Sequence, residues 1–143
     1  MTFNHATLAG LGAVVFAAGV YLGQGQPAEA QGAGRVFELR TYTAHEGKLD
    51  PLLARFRDHT VKLFEKHGIK VVGFFVAADA PQSSNTMVYI LGHESREAAK
   101  KSWDAFRSDP EWVKVRDASE ANGPLVSKVE SVYLTATDFS PIK

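Results

Sequence analysis

The chain has 143 residues, 16 Lys and Arg against 16 Asp and Glu, and no cysteine. The neutral balance excludes the basic face on which nucleic-acid binding depends. The missing cysteine excludes a disulfide framework, a thiolate metal site and a cysteine nucleophile.

Ala6 to Leu22 carries no charge and closes on Gly23-Gln24-Gly25-Gln26-Pro27. Together with the small-x-small site Ala28-Glu29-Ala30, this run has the layout of a secretory signal peptide cleaved after Ala30. The expectation is an exported protein, periplasmic or secreted. Met1 to His5 lacks the positive charge usual there, so residues 1–30 have a second reading as an uncleaved anchor, the only reading that implies a membrane. Against it, the run falls short of roughly 20 apolar residues and contains Gly10, Gly12 and Gly19. An Arg-rich mitochondrial presequence does not fit a segment without Arg. Residues 31–35 read as a linker, 36–137 as one domain and 138–143 as a tail. A domain of this size buries only about 60 to 70% of its unfolded surface, so pairing with a second copy adds core.

The first predicted strand runs from Val36 to Tyr42. Alternation puts Phe37, Leu39 and Thr41 on one side and Glu38, Arg40 and Tyr42 on the other. After a turn over Thr43 to Gly47 comes a helix that tolerates Pro51 in its first turn. Its stripe is Leu52, Leu53, Phe56, His59, Thr60, Leu63, Phe64 and His67. Gly68 ends it as a residue free to take positive φ. Ile69 to Ala77 form the second strand, Asp79 to Asn85 a polar loop, and Thr86 to His93 the third strand. Ser95 caps a helix from Arg96 to Arg107 with Ala99, Trp103 and Phe106 on its buried side. Asp109 caps a short helix after the break at Pro110, and Leu125 to Thr137 form the last strand. The order β-α-β-β-α-α-β is an α+β, ferredoxin-like βαββαβ pattern with a split second helix. Helices on one face leave the other face of the sheet for a partner.

Several separated features carry a family resemblance: Glu38-Leu39-Arg40-Thr41-Tyr42, Gly47-Lys48, His67-Gly68 followed by Val72-Gly73-Phe74-Phe75, Asn85, Arg96, and Phe106 through Asp109 with Trp112. In this order they resemble the NIPSNAP family from about Val36 to Val132. The resemblance implies a homodimeric α/β barrel, a fold class that includes cofactor-free and haem-handling oxygenases, isomerases and stress proteins. Where the family often has Trp after the glycine of the second strand, this chain has Phe74-Phe75 and so no indole N–H.

The candidate site is a small-molecule cavity between sheet and helices. Arg40, Tyr42, Phe75, Tyr89 and His93, with Glu38, Lys128 and Glu130, can converge on one side of the strands, depending on register. Arg40 would hold a carboxylate or enolate-like oxygen, His59 or His93 would exchange a proton, and the tyrosines would orient a carbonyl. The competing reading pairs Glu38, Arg40, Lys128 and Glu130 with one another. It also makes His59 a core histidine and His67 a helix-end residue. No motif for a preformed zinc site appears. An axial haem histidine needs only one residue, which spacing does not test. Three functions fit these features: a small-molecule-binding or stress-related module, a cofactor-independent oxygenase or isomerase, and a structural interaction partner.

Overall fold

The computed structural model describes residues 35–143; the leader or anchor and most of the linker lie outside them. The elements are β1 (Val36–Ala44), α1 (Leu49–Arg55), a π-helical turn (Phe56–Thr60), α2 (Val61–Lys66), β2 (Lys70–Val76), β3 (Thr86–His93), α3 (Arg96–Ser108), α4 (Pro110–Ser119) and β4 (Val126–Leu134). The four strands form one antiparallel sheet in the order β2-β3-β1-β4, the ferredoxin-like arrangement expected from the element order. Among the described residues no helix is long and apolar enough to cross a membrane.

Local chemistry accounts for the boundaries. Gly68 takes φ 70°, and the Gly68 and Ile69 N–H groups donate to the Glu65 and Phe64 carbonyls at 3.0 and 2.9 Å, a Schellman ending for α2. The Ser95 hydroxyl accepts from the Ala98 N–H at 3.0 Å. The Asp109 carboxylate accepts from the Glu111 N–H at 2.8 Å ahead of Pro110. The last strand stops at Leu134, short of the expected Thr137, because Leu134 pairs with Phe37 at the start of β1. Beyond it β4 has no neighbour.

Phe37 and Leu39 face away from the helices; the residues after Leu134 fold back over that side. Phe37, Val72, Ile90, Leu134 and Ile142 line a shallow cavity of about 290 Å3 there, and the Arg35 guanidinium donates to the Lys143 carbonyl. The tail buries Phe37 and leaves Phe75 and Val132 exposed.

The core lies between sheet and helices. Phe64 occupies its centre, with ring centroids of Phe106, Trp103 and Phe56 at 5.0, 5.5 and 6.0 Å, mostly edge to face. Truncating a buried aromatic loses transfer energy and leaves a cavity. Phe64→Ala is expected to cost about 3 to 5 kcal/mol in a urea titration. The same change at Phe139, 84% exposed, should stay within about 0.5 kcal/mol.

Candidate functional site

Strand alternation brings together four of the six candidate residues. On β1, Glu38, Arg40 and Tyr42 face the helices, and the register sets Arg40 opposite Tyr89 and Val36 opposite His93. Arg40, Tyr42, Tyr89 and His93 therefore share one face of the sheet with Glu38, beneath α3.

Phe75 does not join them. Phe74 pairs with Tyr89 and takes the inward position, so Phe75 points the other way and is 56% exposed. A Cβ at Gly73 would come within 2.8 Å of the Phe75 ring, so the ring lies over the bare backbone of that glycine. Lys128 and Glu130 fall on this outer face as well and pair with each other at 2.9 Å. In a sheet, a single residue decides the side.

His59 is exposed rather than in the core. The cause is the π-helical turn, which inserts one residue into the helix and delays the rotation of those after it. Thr60 takes the buried place expected of His59, and its hydroxyl donates to the Arg55 carbonyl at 3.2 Å. His59 instead lines an open groove of about 650 Å3 against α4, with Asp58, Lys114 and Ser119. His67 donates from Nε2 to Asp109 Oδ2 at 2.7 Å, tying the end of α2 to the start of α4. Lys66 reaches the same oxygen at 2.8 Å, and the hydrogen bonds from Lys66, His67 and the Glu111 N–H hold the Asp109 carboxyl well below the usual range.

Glu38 is the hub of the polar core. Its Oε1 accepts from Arg40 Nη1 and Ser131 Oγ, both at 2.6 Å, and Oε2 accepts from Trp103 Nε1 at 2.7 Å and His93 Nε2 at 3.2 Å. The residue is 1% exposed. Burial alone would raise its pKa, but the bonds from His93, Ser131, Trp103 and Arg40 outweigh burial and bring it down to about 2. The Arg40 guanidinium also lies 4.5 Å from the Trp103 ring centroid, a stacked and ion-paired arginine. Trp103 and Ser131 were not among the expected site residues. The signal for Trp103 was the indole N–H itself, which needs an acceptor wherever the ring is buried.

Two buried groups beside this hub have no partner among the described residues: Arg40 Nε and the Tyr89 hydroxyl. Burial pushes the Tyr89 phenol well above its ordinary pKa. The Tyr89 ring packs against Phe56 and Phe74 at 5.4 and 5.5 Å. Those two rings, with Leu53, Arg57, Val61 and Met87, line a pocket of about 330 Å3 between the π-helical turn and the sheet. Phe56 and Arg57 belong to that turn, which thus shapes the pocket wall. Among the described residues, no three His, Asp or Glu side chains come together so as to hold a metal ion.

The Glu38 carboxyl titrates near 4.5 without the fold and near 2 within it. A depressed folded pKa contributes stability that is complete above the unfolded value and is lost as pH falls through the folded one. Stability should therefore drop between about pH 4.5 and 2. Glu38→Gln should flatten that segment of a urea-midpoint profile and, by stranding Arg40, cost roughly 3 to 5 kcal/mol at neutral pH.

The NIPSNAP family model matches residues 37–141, and no curated protein matches the chain. Among solved structures, a NIPSNAP family protein from Agrobacterium tumefaciens str. C58 superposes with a TM-score of 0.67 at 22% identity, covering 76% of this chain and 99% of that one. An uncharacterized NIPSNAP-like domain protein from Burkholderia xenovorans gives 0.67 at 19%, covering 76% and 90%. SnoaB, a cofactor-independent oxygenase from Streptomyces nogalater, gives 0.52 at 18%, covering 76% and 99%. At such identities the likeness is one of fold. With the family match running from β1 into the tail, this chain belongs to the NIPSNAP family.

Proposed function

We propose that the protein is an exported, homodimeric module that binds a small molecule without turning it over. Its seat is the pocket beside the π-helical turn, and its ligand is a compact apolar or aromatic molecule bearing an acid or carbonyl group. The observation that carries this reading is the composition of the pocket: Leu53, Phe56, Val61, Phe74 and Met87 supply apolar walls, and Arg57 is its single charged residue. An exposed arginine beside an apolar slot suits a carboxylate, which its planar fork can hold through two hydrogen bonds. The absence of turnover is supported by Glu38, Arg40 and His93, which bond to one another rather than to a cavity.

Apolar residues on the uncovered sheet face, Phe75 and Val132, support a second copy as the partner there. The layout of residues 1–30 supports export. The seat uses only the chain's own side chains and calls for no metal or haem.

A second reading, a cofactor-independent oxygenase or isomerase, is favoured by the unpartnered Tyr89 hydroxyl and Arg40 Nε one aromatic layer behind the pocket wall. The fold shared with SnoaB is compatible with it, but fold alone does not assign chemistry.

Benzoate and methyl benzoate, titrated by ligand-observed NMR against the full chain made in an exporting host, separate the two readings. Val61→Trp, filling the pocket, should weaken both probes at least about tenfold, a loss of 1.4 kcal/mol or more. Arg57→Ala should weaken benzoate alone. Unchanged binding to Val61→Trp would remove the pocket as the seat. Conversion of a bound aromatic that stops in Tyr89→Phe would replace the binding reading with the enzymatic one.

A further inference from the structure

The groove of about 650 Å3 against α4 shares no lining residue with the apolar pocket beside Phe56 and Arg57. Arg55, the last residue of α1, lies against this groove and is only 7% exposed. Its guanidinium is fastened at one corner: Nη1 donates to Glu120 Oε1 at 2.8 Å and to Ser119 Oγ at 3.2 Å. The Trp112 ring centroid lies 5.3 Å from the guanidinium carbon. Nε, by contrast, is buried with no hydrogen-bond partner, and Nη2 has none either among the described residues. These two nitrogens form the side edge of the guanidinium, a fork that binds a carboxylate through paired hydrogen bonds.

From this unused fork we infer that the groove is a second small-molecule site, and that its ligand is a free amino acid with an apolar side chain. Nη2 is the open end of the edge and Nε the enclosed end. The ligand's carboxylate meets Nη2 first and completes the fork at Nε as the guanidinium pivots on its Nη1 bonds. A buried donor without an acceptor destabilises a fold, and the carboxylate removes that penalty here. Arginine suits the task because its planar fork is already shaped for a carboxylate, so little freedom is lost on binding.

The charges of the groove select the class of ligand. Arg55 and Lys114 line it together with Asp58 and Glu111, so it carries both signs. Asp58 and Lys114 are exposed and belong to no ion pair among the described residues. A phosphate or dicarboxylate drawn to the cations would be repelled by the two acids, whereas a zwitterion answers both. The ligand's ammonium goes to Asp58, which follows Arg55 by three residues and lines the same groove. Ala54, Val115 and Ala118 give the groove an apolar surface for the ligand's side chain. The π-helical turn places Asp58 and His59 on this wall, and insertions of that kind are frequent at functional sites.

The test titrates the full chain with L-leucine, with isocaproate, which lacks the amine, and with isoamylamine, which lacks the carboxylate, by ligand-observed NMR. Leucine should bind at least about tenfold tighter than either analogue, because each of them leaves Asp58 or Arg55 without its counter-charge. Ala118→Trp, at an exposed position, fills the groove and should weaken leucine by about tenfold or more. Asp58→Asn, also exposed, should weaken leucine and leave isocaproate no weaker. Arg55→Lys keeps a cation for Glu120 but has no fork, and should lose leucine; the two exposed variants decide the matter if it does not fold. Val61→Trp, which closes the other pocket, should leave leucine as it is, so the two sites stand or fail separately. No saturable leucine binding, isocaproate as tight as leucine, binding untouched by Ala118→Trp, or loss of leucine in Val61→Trp would each overturn the inference.

Discussion

The Glu38 carboxylate sits in the core, where an unpaired charge would cost several kcal/mol, and four donors converge on its two oxygens. They come from β1 itself (Arg40), from β3 (His93), from α3 (Trp103) and from β4 (Ser131). Each donor is placed by an element that meets the others only in the folded chain. Slipping β1 by one residue would send the Glu38 carboxylate and Arg40 together to the outer face and leave the Trp103 indole buried without an acceptor. The hub thus acts as a register lock between three strands and the helix above them. It also explains why the polar residues of β1, which look on paper like the lining of a cavity, form part of the packed interior.

The π-helical turn has the comparable role on the other side of the core. By adding one residue to the helix it moves His59 out to the groove against α4, brings Thr60 into the interior and sets Phe56 against Phe74 and Tyr89. A regular helix over the same residues would keep His59 on the buried stripe and Thr60 beside it. Such insertions are frequent at functional sites. Here the insertion supplies a wall of an apolar pocket that backs onto the buried Tyr89 ring.

The outer side of the sheet follows different rules. Phe75, Val132, Lys128 and Glu130 lie there, mixing exposed apolar groups with a charge pair. The chain's own tail covers only the end near Phe37.

Much of the fold is legible in the chain because its signals are local. Ser95, Asp109 and Gly68 mark helix ends through bonds made within a few residues, and the alternation of β1 is visible residue by residue. The site is less so. Arg40, Tyr42, Tyr89 and His93 do assemble, yet Phe75, His59, Lys128 and Glu130 do not, because period 2 sorts a strand into two sides without saying which is covered. Cross-strand register made Phe74 the inward residue, and an inserted helical residue turned His59 to the surface; neither leaves a mark in local spacing. The sequence by itself determined the order of elements and their caps, since these depend on neighbours along the chain. Only the tertiary structure decided that Glu38 is a buried hub fed by Trp103 and Ser131, because a desolvated charge is defined by what surrounds it, and its surroundings come from residues up to 93 positions away.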